Sequence, residues 1–345
     1  MQRFFHFILS HGYFDVTVLW RQFYDESVSF NYFRWYFILM YVAVCAAVFL
    51  ATRSGRTIDL SGFGSFLLPE DVRRSPSFKI DLWWALISLF KLPGIITGAI
   101  VAVFSLAAIS SLVAALHIGL LGDAVAKLPE ALRITIIFAV ALLSAEFGHY
   151  WAHRLSHRSA FLWQFHKVHH YSEQINLLTD ARTHPIDKIL PLVFSSFCMA
   201  VGVSLVARPI GTGYEAYLAL ATSYWWLWPA ATFPLTVGYF SHSRQLPISL
   251  GWGDYVFLTP AMHIVHHARD RALHDGNYGG SLSLWDWVFG TAHRHDFREP
   301  LPLGISEFGD DHYRHVGQVL YEPFIDAARV ARDGTAKLLA RRRTT

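Results

Sequence analysis

Charge is scarce in this 345-residue chain: Asp, Glu, Lys and Arg make up only 16% of it, against about a quarter in soluble globular domains. Hydrophobic residues fill the deficit at 53%, and mean hydropathy is +0.30. A surface facing lipid accounts for this better than an unusually apolar surface facing water. Cysteine is almost missing. Cys45 and Cys198 both sit in apolar runs, so neither a disulfide framework nor a thiolate metal site is available. The net charge of +3 is small, and Arg341 to Arg343 form the sole basic block, which argues against nucleic acid as a partner. A leader is also not expected, because the opening MQRFFHFILSHGYFD interrupts its short apolar run at His6 and His11.

Long hydrophobic runs, by contrast, are present. A hydrocarbon layer of ~30 Å takes about 20 apolar residues of helix. Phe33–Thr52, Gly94–Leu121, Ile189–Ala207 and Tyr214–Val237 meet that length or nearly so, and Ala131–Phe147 is slightly shorter. Leu82–Phe90, with two Trp, suits an interfacial helix. Only RPIGTG separates Ile189–Ala207 from Tyr214–Val237, which predicts a helical hairpin that returns the chain to the side it left. Residues 148–188 and 238–298 then share one compartment. That side collects Arg154, Arg158, Lys167, Arg182 and Lys188 from the first stretch and Arg244, Arg269, Arg271, Arg294 and Arg298 from the second. The excess of cations predicts a cytoplasmic location.

Histidine is the anomaly. Of 19 histidines, 14 fall between His149 and His295. They form one HxxxH box, His153 and His157, and two HxxHH boxes, His166, His169, His170 and His263, His266, His267. His184 and His242 stand apart. On a helix, positions i, i+3 and i+4 share a face, and their imidazoles can converge on one ion. Adjacent residues diverge by about 100° around the axis. Both members of an HH pair therefore serve a site only if it holds two centres side by side. Eight box imidazoles are too many for one ion and suit two.

Imidazole ligands accommodate Zn, Cu, Fe and Ni. Structural zinc usually recruits Cys, and catalytic zinc uses about three protein ligands. An abundance of histidine beside lipid-length helices favours iron and dioxygen chemistry.

The surrounding sequence resembles the fatty acid hydroxylase/sterol desaturase superfamily. The resemblance runs from about Ser144 to Thr291 through EFGHYWAHRLSH, LWQFHKVHHYSEQIN, THPID, FSHSR, PAMHIVHH and DGNYGGSLSLWDWVFGT. From His263 onward it looks especially like the alkylglycerol monooxygenase branch. It implies that His153, His157, His166, His169, His170, His263, His266 and His267 bind two irons, with zinc possible by exchange and O2 as co-substrate. His242, which matches the isolated histidine before the last box, and His184, which matches a histidine-proline of the sterol-modifying branches, are expected among the metal ligands as well. Glu146 stands where the family commonly has Asp, which implies an orienting role behind a ligand imidazole. DGNYGG and WDWVFGT are expected to close over the site. No cytochrome b5-like module is evident, so electrons are expected from a separate cytochrome b5-, ferredoxin- or reductase-type donor.

The expected architecture is an all-α integral membrane protein with four to five transmembrane helices and a cytoplasmic histidine-rich catalytic cap. Residues 1–130 form an N-terminal membrane region, 131–298 the catalytic domain and 299–345 a C-terminal tail. The expected activity is hydroxylation or desaturation of a lipid. A zinc-dependent membrane hydrolase and a metal-binding or transport protein are the alternatives.

Overall fold

The computed structural model describes residues 35–52, 60–89, 120–207, 224–227, 233, 237–305 and 312–343. The helices that position the site are α1 Trp35–Thr52, α2 Pro76–Leu89, α3 Glu130–Arg158, α4 Ala160–His170, α5 Ile189–Val206, α6 Pro260–His266, α7 Leu284–Val288 and α8 Val316–Arg343. Among the described residues there is no strand; the isolated bridges Phe257–Leu282 and Ala268–Leu303 only draw loops together.

Two of the expected spans become long apolar helices. Ala131–Phe147 is the first part of α3, which continues unbroken through the HxxxH box to Arg158. Ile189–Ala207 becomes α5, ending at Val206. By length and composition both can cross a membrane. Phe33–Thr52 is helical from Trp35 as α1. Most of Gly94–Leu121 and Tyr214–Val237, and with them the RPIGTG hairpin, lie outside the described residues.

Helices α3 and α5 run antiparallel in close contact. Gly148 meets Phe194 and Ser195, while Gly202 meets Ser144 four residues earlier on α3. A Cβ on Gly148 would overlap the Phe194 carbonyl oxygen, and one on Gly202 the Ser144 hydroxyl. Such small-residue contacts let helices approach where dispersion, not water exclusion, holds them together. Ile137, Ala141, Met199 and Val203 fill the seam. Leu132, Leu143 and Phe197 point outward and are exposed, an apolar face without a protein partner among the described residues.

Beyond the spans the chain builds a cap. Ser159 ends α3 and accepts the Leu162 N–H to start α4, which sets the first two histidine boxes against each other. Ile80 and Trp84 of α2 pack with Val168, Tyr171 and Val319. The expected interfacial segment is therefore half in the core, with Leu82, Trp83 and Leu86 still exposed. Asp81 is fully buried; it pairs with Arg182 at 3.1 Å and accepts from Asn176 and Thr179, each at 2.8 Å. These bonds fix the 3-10 turn Leu177–Ala181.

Helix α1 packs through Tyr41 and Cys45 on Tyr239, Phe240 and Leu246, the segment that carries His242. The expected C-terminal tail contains α8, which lies on α4: Lys167 donates to Asp326 at 2.8 Å and Phe165 meets Phe324.

Candidate metal centre

Nine of the ten histidines singled out in the sequence converge into two buried groups. The first joins His153 and His157 of α3, His166 and His170 of α4, and His266 of α6. The second joins His169 of α4, His242, His263 of α6 and His267 just after it. Within each group one ring nitrogen per residue lies within 4.8 Å of the others. The two groups abut where His170 and His267 stack at 4.6 Å.

In the second group the Nε2 atoms of His242, His263 and His267 form a triangle with edges of 2.9, 3.1 and 3.2 Å, and His169 Nε2 lies 3.1 Å from that of His242. In the first, His166 Nε2 is 3.0 Å from that of His153 and 3.1 Å from that of His170. Nitrogens bound at right angles to one ion at ~2.1 Å would lie roughly 3 Å apart, so these spacings fit a shared cation.

The outer ring nitrogens show which atoms face inward. His166 Nδ1 donates to Asp187 Oδ2 at 2.9 Å, His153 Nδ1 to the Tyr278 carbonyl at 3.0 Å, and His266 Nδ1 to the Gly276 carbonyl at 2.7 Å. Carbonyls and carboxylates only accept, so these Nδ1 atoms carry the protons and a neutral ring turns its Nε2 lone pair inward. The lone pairs of His153 and His166 then oppose each other with no proton between them. His266 Nε2 and His157 Nε2 are buried without a hydrogen-bond partner. A cation answers all of these lone pairs at once. His242 Nδ1 lies 3.2 Å from Asp180, and His157 Nδ1 3.5 Å from Asp275. Such outer partners fix tautomer and ring direction.

Burial, reinforced by repulsion between neighbouring rings, holds His169, His170, His263, His266 and His267 well below the usual imidazole range. They are therefore neutral and able to bind metal near pH 7. Cys45 and Cys198 belong to neither group, so the donor set is imidazole alone, suited to iron, zinc, copper or nickel.

His184 joins neither group. Its Nε2 lies 3.1 Å from the Leu320 carbonyl and its Nδ1 accepts the Ile186 N–H, with both nitrogens thereby engaged. The same turn bonds the Asp187 N–H to the His184 carbonyl at 2.9 Å. His184 thus shapes the turn that presents Asp187 to His166. Glu146 also differs from expectation. Its carboxylate accepts the Ser281 and Leu282 N–H groups at 2.9 and 3.1 Å and anchors a loop instead of an imidazole.

DGNYGG reaches the first group, and WDWVFGT braces that loop from behind through Asp286. The loop supplies the Gly276 and Tyr278 carbonyls, and Asn277 adopts φ 54° with its side chain bonded to Met262 and His293. Asp286 of α7 receives the N–H groups of Tyr278 and Gly279 at 2.7 and 2.8 Å. Burial pushes its carboxyl up to about 6.

Sequence reasoning did not single out Asp187, Asp180, Asp275 or His274. His274 and Asp275 gather beside His157 at the rim of the first group. Asp187 lay within the THPID match, but no spacing rule links it to His166.

A buried polyhistidine centre thus sits at the end of two helices long and apolar enough to cross a membrane. Residues 138–291 match the model of the fatty acid hydroxylase family, somewhat under half of the chain. Human alkylglycerol monooxygenase is 31% identical over 151 residues, 44% of this chain and 29% of that protein. Ornithine lipid hydroxylase OlsE of Rhizobium tropici is 27% identical over 178 residues, 52% of this chain and 48% of that one. Methylsterol monooxygenase 2-1 of Arabidopsis thaliana is 29% identical over 158 residues, 42% and 52% of the two chains. The matched region spans about three tenths of the alkylglycerol monooxygenases and about half of the other two. No solved structure matches the chain significantly.

Proposed function

We propose that this chain is a membrane-bound di-iron oxygenase that hydroxylates or desaturates a lipid, using O2 and electrons from a separate cytochrome b5-, ferredoxin- or reductase-type donor. The observation that carries this reading is the division of each HH pair between the two histidine groups. One iron would be held by His153, His157, His166, His170 and His266, the other by His169, His242, His263 and His267. The family and the lipid-modifying names of the relatives support the substrate class.

When bound, the irons supply the activation of O2 that an unactivated C–H bond demands. The chain supplies the rest. Asp187, Asp180 and the carbonyls of Gly276 and Tyr278 keep Nδ1 protonated and hold the rings in register. The loop around Asn277 and Asp286 excludes water from the first group. The outward apolar faces of α3 and α5 offer lipid tails a surface next to the site. The distribution of Arg and Lys supports a cytoplasmic cap.

The test is metal analysis of protein purified from iron-replete cells, followed by turnover of a lipid extract under labelled dioxygen with reductant. About two ions per chain are expected, with a product heavier by one labelled oxygen or lighter by two hydrogens. A single ion, or a product formed without O2, would make the chain a hydrolase or a metal-binding protein instead.

A further inference from the structure

Between His242 and the last histidine box lies a turn that faces outward with side chains a water-exposed surface rarely carries. Trp252 is 88% exposed, and Leu250, Tyr255 and Val256 are exposed as well. The patch continues onto α7: Tyr255 stands between Trp252 at 5.8 Å and Trp287 at 4.4 Å, and Val288 beside it is 59% exposed.

This exposure is built into a fixed shape. Asp254 is buried and holds the turn by accepting the Ser249 hydroxyl at 2.6 Å and the Leu250 N–H at 2.8 Å. Its carbonyl accepts the Ser283 hydroxyl and the Trp287 indole N–H at 2.7 and 2.8 Å, locking turn and helix together. Gly251 supplies the φ of +61° that the bend requires.

We infer that the 249–257 turn and α7 form a wedge seated in the headgroup–acyl boundary of a phospholipid bilayer, with Trp252 as its leading anchor. The inference rests on the membrane reading given above. Continuity with α3 identifies the occupant. The Trp285 indole donates to the Leu143 carbonyl at 3.2 Å, and its ring lies 5.0 Å from Phe147. Leu143 and Phe147 close the apolar run of α3, so the wedge leaves the protein at the level where the run ends.

Charge agrees. The Arg294 guanidinium lies 4.8 Å over Tyr255 and 5.2 Å over Trp287 and donates to the Gly251 carbonyl, with its side chain 43% exposed. Amphipathic aromatics beside a cation suit the interface, where rings meet acyl chains and the cation meets phosphate. Because the turn leads through Thr259 directly into α6, its depth sets the depth of His263, His266 and His267.

The test uses the full chain in phosphatidylcholine vesicles, with an environment-sensitive fluorophore attached to W252C and, for reference, to R271C. Arg271 is 80% exposed on the cap. The unsubstituted chain, taken through the same labelling, gives the blank for Cys45 and Cys198. The inference expects the label at 252 to be quenched by phosphatidylcholine spin-labelled high on the acyl chain. It also expects aqueous iodide to quench that label several-fold less than the label at 271. Equal iodide quenching at both positions overturns the wedge. So does a label at 252 that neither quencher reaches, which would mean a protein partner or a second copy covers it. Alkaline carbonate extraction separates the two failures: a chain released by carbonate refutes the membrane reading itself, whereas a retained chain with an iodide-accessible 252 refutes the wedge alone.

Discussion

His169 and His170 are neighbours in the chain, yet their rings stand 90° apart with centroids 5.7 Å from each other, and each faces a different histidine group. His266 and His267 repeat the arrangement at 85° and 5.6 Å. One helical step of about 100° thus becomes the partition between two centres.

Single substitutions should reveal that partition. His170→Ala is expected to lower the metal content by about one ion from the first group, and His169→Ala by about one from the second, each with loss of activity. Elemental analysis of the two purified variants checks this. Full retention of both metals in an active His169→Ala protein would remove the ligand assignment.

His184→Ala should behave differently. Both ring nitrogens serve the backbone, so the variant keeps its metal stoichiometry while stability falls by about 1–3 kcal/mol as the Leu320 carbonyl and Ile186 N–H lose their partner. Thermal unfolding together with metal counting separates this from a ligand's behaviour.

Acid should weaken the metal-free protein from near neutrality. The folded chain holds its buried imidazoles below their ordinary value of 6.5. The unfolded chain takes up protons below that value and the folded chain does not. This contribution is therefore intact above about pH 6.5 and lost progressively below it. Asp286, raised from 3.8 to about 6, acts in the opposite sense between those values, but with one proton against five imidazoles. Unfolding temperatures of chelator-treated protein from about pH 7.5 to about pH 5.5 should fall steadily, with metal-loaded protein falling less.

The α3–α5 seam offers a packing test. Gly148→Ala forces a methyl group onto the Phe194 carbonyl, whereas a Cβ at Gly122 meets nothing within 4 Å. The first substitution should destabilise by about 1–3 kcal/mol and the second should not, as judged by unfolding in the same detergent.

The histidine boxes were legible in the sequence because their spacing is local: helical periodicity alone separates His166 and His170 from His169. The two apolar helices were legible for the same reason. The shell around the rings was not. Asp187 meets His166 from 21 residues away, and Tyr278 meets His153 from 125, through contacts that only tertiary folding creates. Residue type and motif point to His184 as a ligand, whereas its bonds to Leu320 and Ile186 depend on α8 and on a tight turn. Glu146 is expected behind a ligand imidazole, but its carboxylate takes the backbone N–H groups of Ser281 and Leu282, a contact across 135 residues that no local pattern announces.

The unbroken course of α3 also makes it a ruler. Between Phe147, where the apolar run ends, and His153 there is no joint, so the helical rise of 1.5 Å per residue fixes a height of about 9 Å. A thicker or thinner bilayer can tilt the helix but cannot change that interval. On the proposed reading, any lipid carbon that reacts must be carried to a centre held that far along the helix beyond its apolar run, whatever bilayer surrounds it.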